Sequence, residues 1–179
     1  MSLIKLHDKY FRPFITREQI AERVSLLGQT ITRDYRGLDP LFISILNGSF
    51  IFAADLFREV KTHAEIAFVK LSSYSGMASS GTVITEIGIP GDITGRHIVI
   101  VEDIIDTGRT LAAFIPELLK ENPASVKLAC FLSKPEALQH DIKADYTCFD
   151  IQNEFVVGYG LDYDGLGRNL PDLYILADQ

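Results

Sequence analysis

The chain has 179 residues, a net charge of −7 and a pI near 5.0, a length that suits one domain with a sizeable core. The acidic balance argues against a general nucleic-acid or anionic-membrane surface, so an anionic substrate has to be captured by a local site. No apolar run is long enough to span a bilayer, and the N-terminal MSLIKLHDKY lacks the apolar centre of a signal peptide, so a cytoplasmic protein is expected.

No internal repeat and no low-complexity linker interrupts the chain, which predicts a single domain over residues 1–179. Thr16-Arg17-Glu18-Gln19 reads as a capping box. Ile20, Val24, Leu27 and Ile31 follow at helical spacing, and Gly37 closes the segment. Leu41 to Leu46 reads as a buried strand, followed by Asn47-Gly48-Ser49 and a helix from near Phe50 carrying Phe52, Ala53, Leu56 and Phe57. Strand, small-residue turn and helix put free backbone N–H groups at a helix start, an arrangement that suits either an anion site or an ordinary tight turn. His7 and His63 stand alone and read as surface residues.

Ile66 to Leu71 and Val83 to Ile87 are strand-like. The stretch between them, Ser72 to Thr82, is too long for a tight hairpin and too poor in apolar residues to pack firmly, so it is an idle tip or a lid. Pro90-Gly91-Asp92 is a turn into Ile98 to Val101, an uninterrupted β-branched run that predicts a strand buried on both faces. The run is expected to stop at Glu102 and Asp103. Two isoleucines, a third carboxylate (Asp106) and Thr107-Gly108-Arg109-Thr110 come next, before a helical segment, Leu111 to Lys120. Pro116 lies inside that segment, where it either kinks or restarts the helix. Val126 to Leu132 is a further parallel-type strand. Cys130 and Cys148 sit in apolar runs without metal-ligand spacing and read as reduced core residues. From Asp141 onward short extended runs (146–151, 155–157 and 173–176) alternate with turns, a pattern that predicts a small hood. The core is expected over about residues 10–140, and the hood mainly over 141–179 with the N-terminal residues.

Thr107 to Thr110 has the chemistry of an anion cradle: a glycine for close backbone approach, two hydroxyls, and the first free amides of a helix. A phosphate is its natural occupant. Three carboxylates beside a phosphate would repel it unless they face a sugar diol, a magnesium ion or a proton to be removed. Two acids, two apolar residues, an acid and TGRT together closely resemble the phosphoribosyl-diphosphate loop of the type I phosphoribosyltransferases, in the hypoxanthine–guanine branch. FVVGYGLDY, Phe155 to Tyr163, resembles that family's purine-binding segment, and the likeness runs along nearly the whole chain.

The resemblance implies an α/β fold, a twisted, mostly parallel sheet flanked by helices. It also implies transfer of a 5-phosphoribosyl group from phosphoribosyl diphosphate to N9 of a 6-oxopurine, with magnesium, in a homodimer or homotetramer. On it, Thr107, Gly108, Arg109 and Thr110 hold the 5′-phosphate, and Glu102 and Asp103 face the ribose hydroxyls directly or through the metal. Asp106 serves as base or proton shuttle near N7, a task that needs a desolvated site. Asn47, Gly48 and Ser49 bind pyrophosphate with Arg168. Many relatives carry a lysine where this chain has Asn47, so the loop must rely on backbone amides and the Ser49 hydroxyl. Lys143 donates to purine O6, Phe155 stacks on the ring and the Val156 backbone reads its edge. Asp162, within the purine segment, counts among the purine-binding residues and matches the position that coordinates the pyrophosphate-bound magnesium. Ser73 and Tyr74 resemble the mobile catalytic loop, which favours the lid.

Two rivals remain open at this stage. A non-catalytic regulator of the same fold would keep the cradle, lose the purine pocket and bind nucleic acid, which the acidic charge and the presence of Lys143, Phe155 and Asp162 oppose. A Rossmann-like phosphoryl-transfer domain could use Asp103 as nucleophile, but it leaves Asp106, TGRT and FVVGYGLDY without a role. No G-x-G-x-x-G follows the first strand, which excludes dinucleotide binding by that motif.

Overall fold

The computed structural model describes residues 3–73, 83–89 and 91–177. Its frame is a six-stranded sheet in the order β5-β4-β3-β6-β7-β8, formed by β3 (Leu41–Leu46), β4 (Glu65–Ser73), β5 (Val83–Ile87), β6 (His97–Ile105), β7 (Ser125–Ser133) and β8 (Tyr146–Asp150). All neighbours pair in parallel except β5, which runs antiparallel to β4 at the edge. Parallel strands need crossovers: α2 (Phe50–Glu59) links β3 to β4 and α3 (Arg109–Lys120) links β6 to β7, while α1 (Arg17–Asp34) precedes β3 and packs beside α2.

The capping box at Thr16 is present in both directions. The Thr16 amide donates to Gln19 Oε1 at 2.9 Å and the Gln19 amide to Thr16 Oγ1 at 3.4 Å. Ile20, Val24, Leu27 and Ile31 are all buried, as their spacing predicts. They join Phe42, Val99, Val101 and Phe131 in the layer under α1 and α2, while Ile43, Ile98, Ile100, Leu111, Phe114 and Leu118 fill the layer under α3. α3 runs unbroken through Pro116.

A second sheet, β1-β2-β10-β9, forms the hood. Its strands are β1 (Ile4–Leu6), β2 (Lys9–Ile15), β9 (Val156–Val157) and β10 (Leu173–Leu176). Two expectations change. Tyr146–Asp150 belongs to the main sheet rather than the hood, because it pairs in parallel with β7 from Ala129↔Tyr146 to Ser133↔Asp150. β6 does not stop at the carboxylates either, because its ladder with β7 continues through Glu102↔Cys130 to Ile105↔Ser133. Among the described residues no helix is long and apolar enough to cross a membrane.

Candidate active site

The two carboxylates fall where β6 changes phase. Ile98 and Ile100 share one apolar layer with Ile105, and Val99 and Val101 share the other with Ile104. The alternation between the two clusters therefore changes between Val101 and Ile104, at Glu102 and Asp103, while the register with β7 holds unbroken from Val101↔Ala129 to Ile104↔Leu132. Glu102 is 9% exposed, and its Oε2 is the one buried side-chain polar atom among the described residues without a hydrogen-bond partner. Burial, and then the neighbouring Asp103, push its carboxyl well above the usual range. Burial also raises Asp103 to about 6, against the lowering pull of the Ile104 amide and Arg168.

Beyond Ile105 the chain turns through Asp106, Thr107 and Gly108 into α3. Gly108 caps the helix at φ +78 with no side-chain bond, a conformation costly for other residues. The Arg109 amide reaches Thr107 Oγ1 at 3.4 Å, and the other early amides of α3 have no carbonyl a turn behind them. A small pocket of about 80 Å³ opens here, lined by Glu102, Asp106 and the Thr107–Thr110 run. The run thus borders a cavity.

Opposite lies the turn after β3. The Leu46–Asn47 peptide is cis, Asn47 is exposed, and Gly48 presses on Asp103 so closely that a Cβ would fall 1.5 Å from Asp103 Oδ2. Ser49 departs from its expected role. Its hydroxyl is fully buried, donates to the Ile45 carbonyl and pairs with Ser44 Oγ at 2.6 Å, so it anchors the turn from beneath and does not face a ligand. Only the backbone and Asn47 are left to meet one. Arg168 is held near this turn: Nη1 donates to the Gly160 carbonyl at 2.7 Å, and Nη2 lies 2.6 Å from Asp162 Oδ1. Asp162 Oδ2 also accepts from the Gly165 amide at 2.7 Å.

The expected purine residues divide. Phe155 is 44% exposed and meets Tyr163 edge-on at 5.7 Å, and Val156 is buried in β9 opposite Ile175. Lys143 is exposed in the irregular run ahead of β8, and among the described residues no hydrogen bond or ion pair holds it. The lysine that the site does hold is Lys134, at the end of β7. It is 6% exposed, with Nζ 3.1 Å from Asp106 Oδ2 and its amide bonded to the Ile105 carbonyl. Sequence reading missed it because nothing local marks it; only the parallel register of β6 and β7 brings it beside Asp106. Ser73 ends β4, and Tyr74 lies outside the described residues.

Among the described residues no group of three or more His, Cys, Asp or Glu side chains converges to hold a metal unaided. Asp162 is engaged by Arg168 and Gly165 rather than grouped with Glu102 and Asp103. The orphaned Glu102 oxygen and its neighbour fit a hard cation that draws its remaining ligands from substrate and water.

A family model described as a phosphoribosyl transferase domain matches residues 16–164. The hypoxanthine-guanine phosphoribosyltransferase of Streptococcus pneumoniae strain R6 is 46% identical over 175 residues, 97% of each chain. That of Lactococcus lactis is 45% identical over 166 residues, 92% of this chain and 90% of its own. Among solved structures, a hypoxanthine-guanine phosphoribosyltransferase of Bacillus anthracis is similar with TM-score 0.87 and 38% identity, covering 93% of this chain and 97% of its own. A hypoxanthine phosphoribosyltransferase of Staphylococcus aureus gives TM-score 0.89 and 37% identity over 93% and 91%. Because one match spans the acidic strand end, the amide cradle and the FVVGYGLDY segment together, the chain belongs to the phosphoribosyltransferase family.

Proposed function

We propose that the chain moves the 5-phosphoribosyl group of phosphoribosyl diphosphate to N9 of hypoxanthine or guanine, giving inosine or guanosine monophosphate and pyrophosphate in purine salvage. The observation that carries this reading is the Lys134–Asp106 pair at a small pocket lined by Asp106, the buried Glu102 and the Thr107–Thr110 run. The anomeric carbon gains positive charge as pyrophosphate departs, so carboxylates suit the ribose and cations the leaving group.

In this reading Thr107, Gly108, Arg109 and Thr110 grip the 5′-phosphate through amides and hydroxyls. Glu102 and Asp103 face the ribose diol. The Asn47–Gly48 backbone and Arg168 receive the pyrophosphate, after Arg168 exchanges the Gly160 carbonyl for a phosphate oxygen. Asp106 takes the purine proton near N7. Lys134, rather than Lys143, donates to O6: its ammonium is oriented by Asp106 and keeps further hydrogens to give. A lysine has no acceptor for an exocyclic amine, so adenine is disfavoured. Phe155 supplies the stacking face, and the Val156 backbone and Asp162 border the ring. Magnesium is the fitting cation: Glu102 and Asp103 would hold it beside the ribose and Asp162 on the pyrophosphate side, and its charge would stabilise the departing pyrophosphate. Ser73 and Tyr74 close over the ribose. The working state is a homodimer or homotetramer in the cytoplasm, where the two buried cysteines stay reduced. Relatives named as transferases lend no support to the regulator alternative.

Incubation with phosphoribosyl diphosphate, magnesium and each of hypoxanthine, guanine, xanthine, adenine and uracil, followed for nucleotide and pyrophosphate, tests the reading. Turnover is expected with hypoxanthine and guanine and not with adenine or uracil. No turnover with any 6-oxopurine, or adenine used as well as hypoxanthine, would overturn it.

A further inference from the structure

The purine segment meets α2 at a point that none of the assigned roles uses. Tyr159 stands there between Gly158 and Gly160, itself at φ +49. Its ring is 6% exposed and packs 4.7 Å from the ring of Phe131. Its hydroxyl donates to Asp55 Oδ2 at 2.8 Å. Asp55 lies on α2, which begins at Phe50, directly after the turn that faces Asp103. The backbone adds a second contact: a Cβ on Gly160 would fall 2.1 Å from the Gly48 carbonyl oxygen. The segment is therefore pinned both to the turn and to the helix behind it.

Packing alone does not call for the hydroxyl. A phenylalanine would fill the same space against Phe131, whereas a buried hydroxyl has to find a partner. A residue with a side chain at positive φ persists only where its surroundings hold it. Here the Tyr159 amide donates to the Leu170 carbonyl and the Gly160 amide to the Arg168 carbonyl. Burial, and then the Asp55 carboxylate, push the phenol far up, so it stays a donor at any pH used in an assay. Arg168 completes the connection, since its guanidinium rests on the Gly160 carbonyl.

Resting on the transferase reading above, we propose that Tyr159 and Asp55 are positioning residues whose bond seats the purine segment on α2. The bond thereby fixes the Asn47–Gly48 turn and Arg168 at the separation a pyrophosphate group requires. Neither residue touches substrate. If the bond is lost, Gly160 and Gly48 are free to part, and the two sides of the leaving-group site drift relative to each other while the phosphate cradle on α3 stays in place.

The test measures binding of phosphoribosyl diphosphate with magnesium, and of pyrophosphate, by titration calorimetry beside steady-state kinetics. Tyr159→Phe keeps the ring and is expected to weaken donor and pyrophosphate binding about 3- to 10-fold, the scale of one lost hydrogen bond, with KM for hypoxanthine unchanged. Asp55→Ala should match it, and the double variant should be no worse than either single one. Asp55→Asn keeps an acceptor for the phenol and should bind as wild type does, since the exposed Arg58 ion pair it gives up is worth little. A Tyr159→Phe protein that melts lower yet binds donor and pyrophosphate normally would overturn the proposal, as would additive losses in the double variant. Wild-type turnover with an unaffected Tyr159→Phe would sink this inference alone. A wild-type chain that binds no donor would sink the function as well.

Discussion

A lysine ammonium acts on a heterocycle only where the protein holds it still. Lys134 is held by burial, by its backbone bond to Ile105 and by Asp106, whereas Lys143 stands in solvent. A donor expected just ahead of a hood strand rests on a local sign, whereas Lys134, the donor proposed above, owes its place to register: β7 ends beside β6, and the residue after it reaches Asp106. Lys134→Met should lower kcat/KM for hypoxanthine by about 10- to 100-fold, the loss expected for a charged hydrogen bond. Lys143→Ala should leave it unchanged. Steady-state kinetics on the two variants decides, and the reverse ranking would restore Lys143. Ser49 teaches the same lesson at shorter range: the sequence marks a hydroxyl beside a loop, and only the fold shows that it points down to Ser44 and Ile45.

At the scale of the element, β6 carries charge to a depth that strands ordinarily avoid. An acid whose folded pKa is raised binds its proton more tightly when folded, so its contribution to stability is full below the unfolded value and fades as pH rises through the folded one. For Asp103 that window runs from 3.8 to about 6, and Glu102 is pushed in the same direction. The ligand-free chain should therefore lose stability as pH climbs from about 4 to about 6. Asp103→Asn should melt several degrees higher than wild type at pH 7.5 while losing donor affinity, with the gap closing near pH 4. Thermal denaturation across that range checks it; an asparagine variant that melts lower at pH 7.5 would contradict it. Much of this was legible beforehand. The β-branched run announced a buried strand, and the acids after it announced a site. The ladder that carries β6 past them depends on β7 and leaves no trace in the local sequence.

At the scale of the molecule, the site is assembled where one end of the parallel sheet meets the small antiparallel one. The capping box, the helical spacing of α1, the strand runs and the TGRT cradle could each be read in isolation, because local chemistry fixes them. The partition between the sheets could not. Tyr146–Asp150 looked like hood because it is short and follows a turn-rich stretch, yet it joins the main sheet through β7. β2 was hidden by Pro13 and its charged residues, and is built into the hood by pairing with β10 across the length of the chain. Asp106, 50% exposed in its side chain, is paired with Lys134 across the same strand ends. The most direct measurement is therefore on Asp106→Asn: single-turnover nucleotide formation beside calorimetric binding of phosphoribosyl diphosphate with magnesium. The account predicts a rate lowered about 10²- to 10⁴-fold with donor affinity intact; an undiminished rate, or a rate lost only because the donor no longer binds, would contradict it.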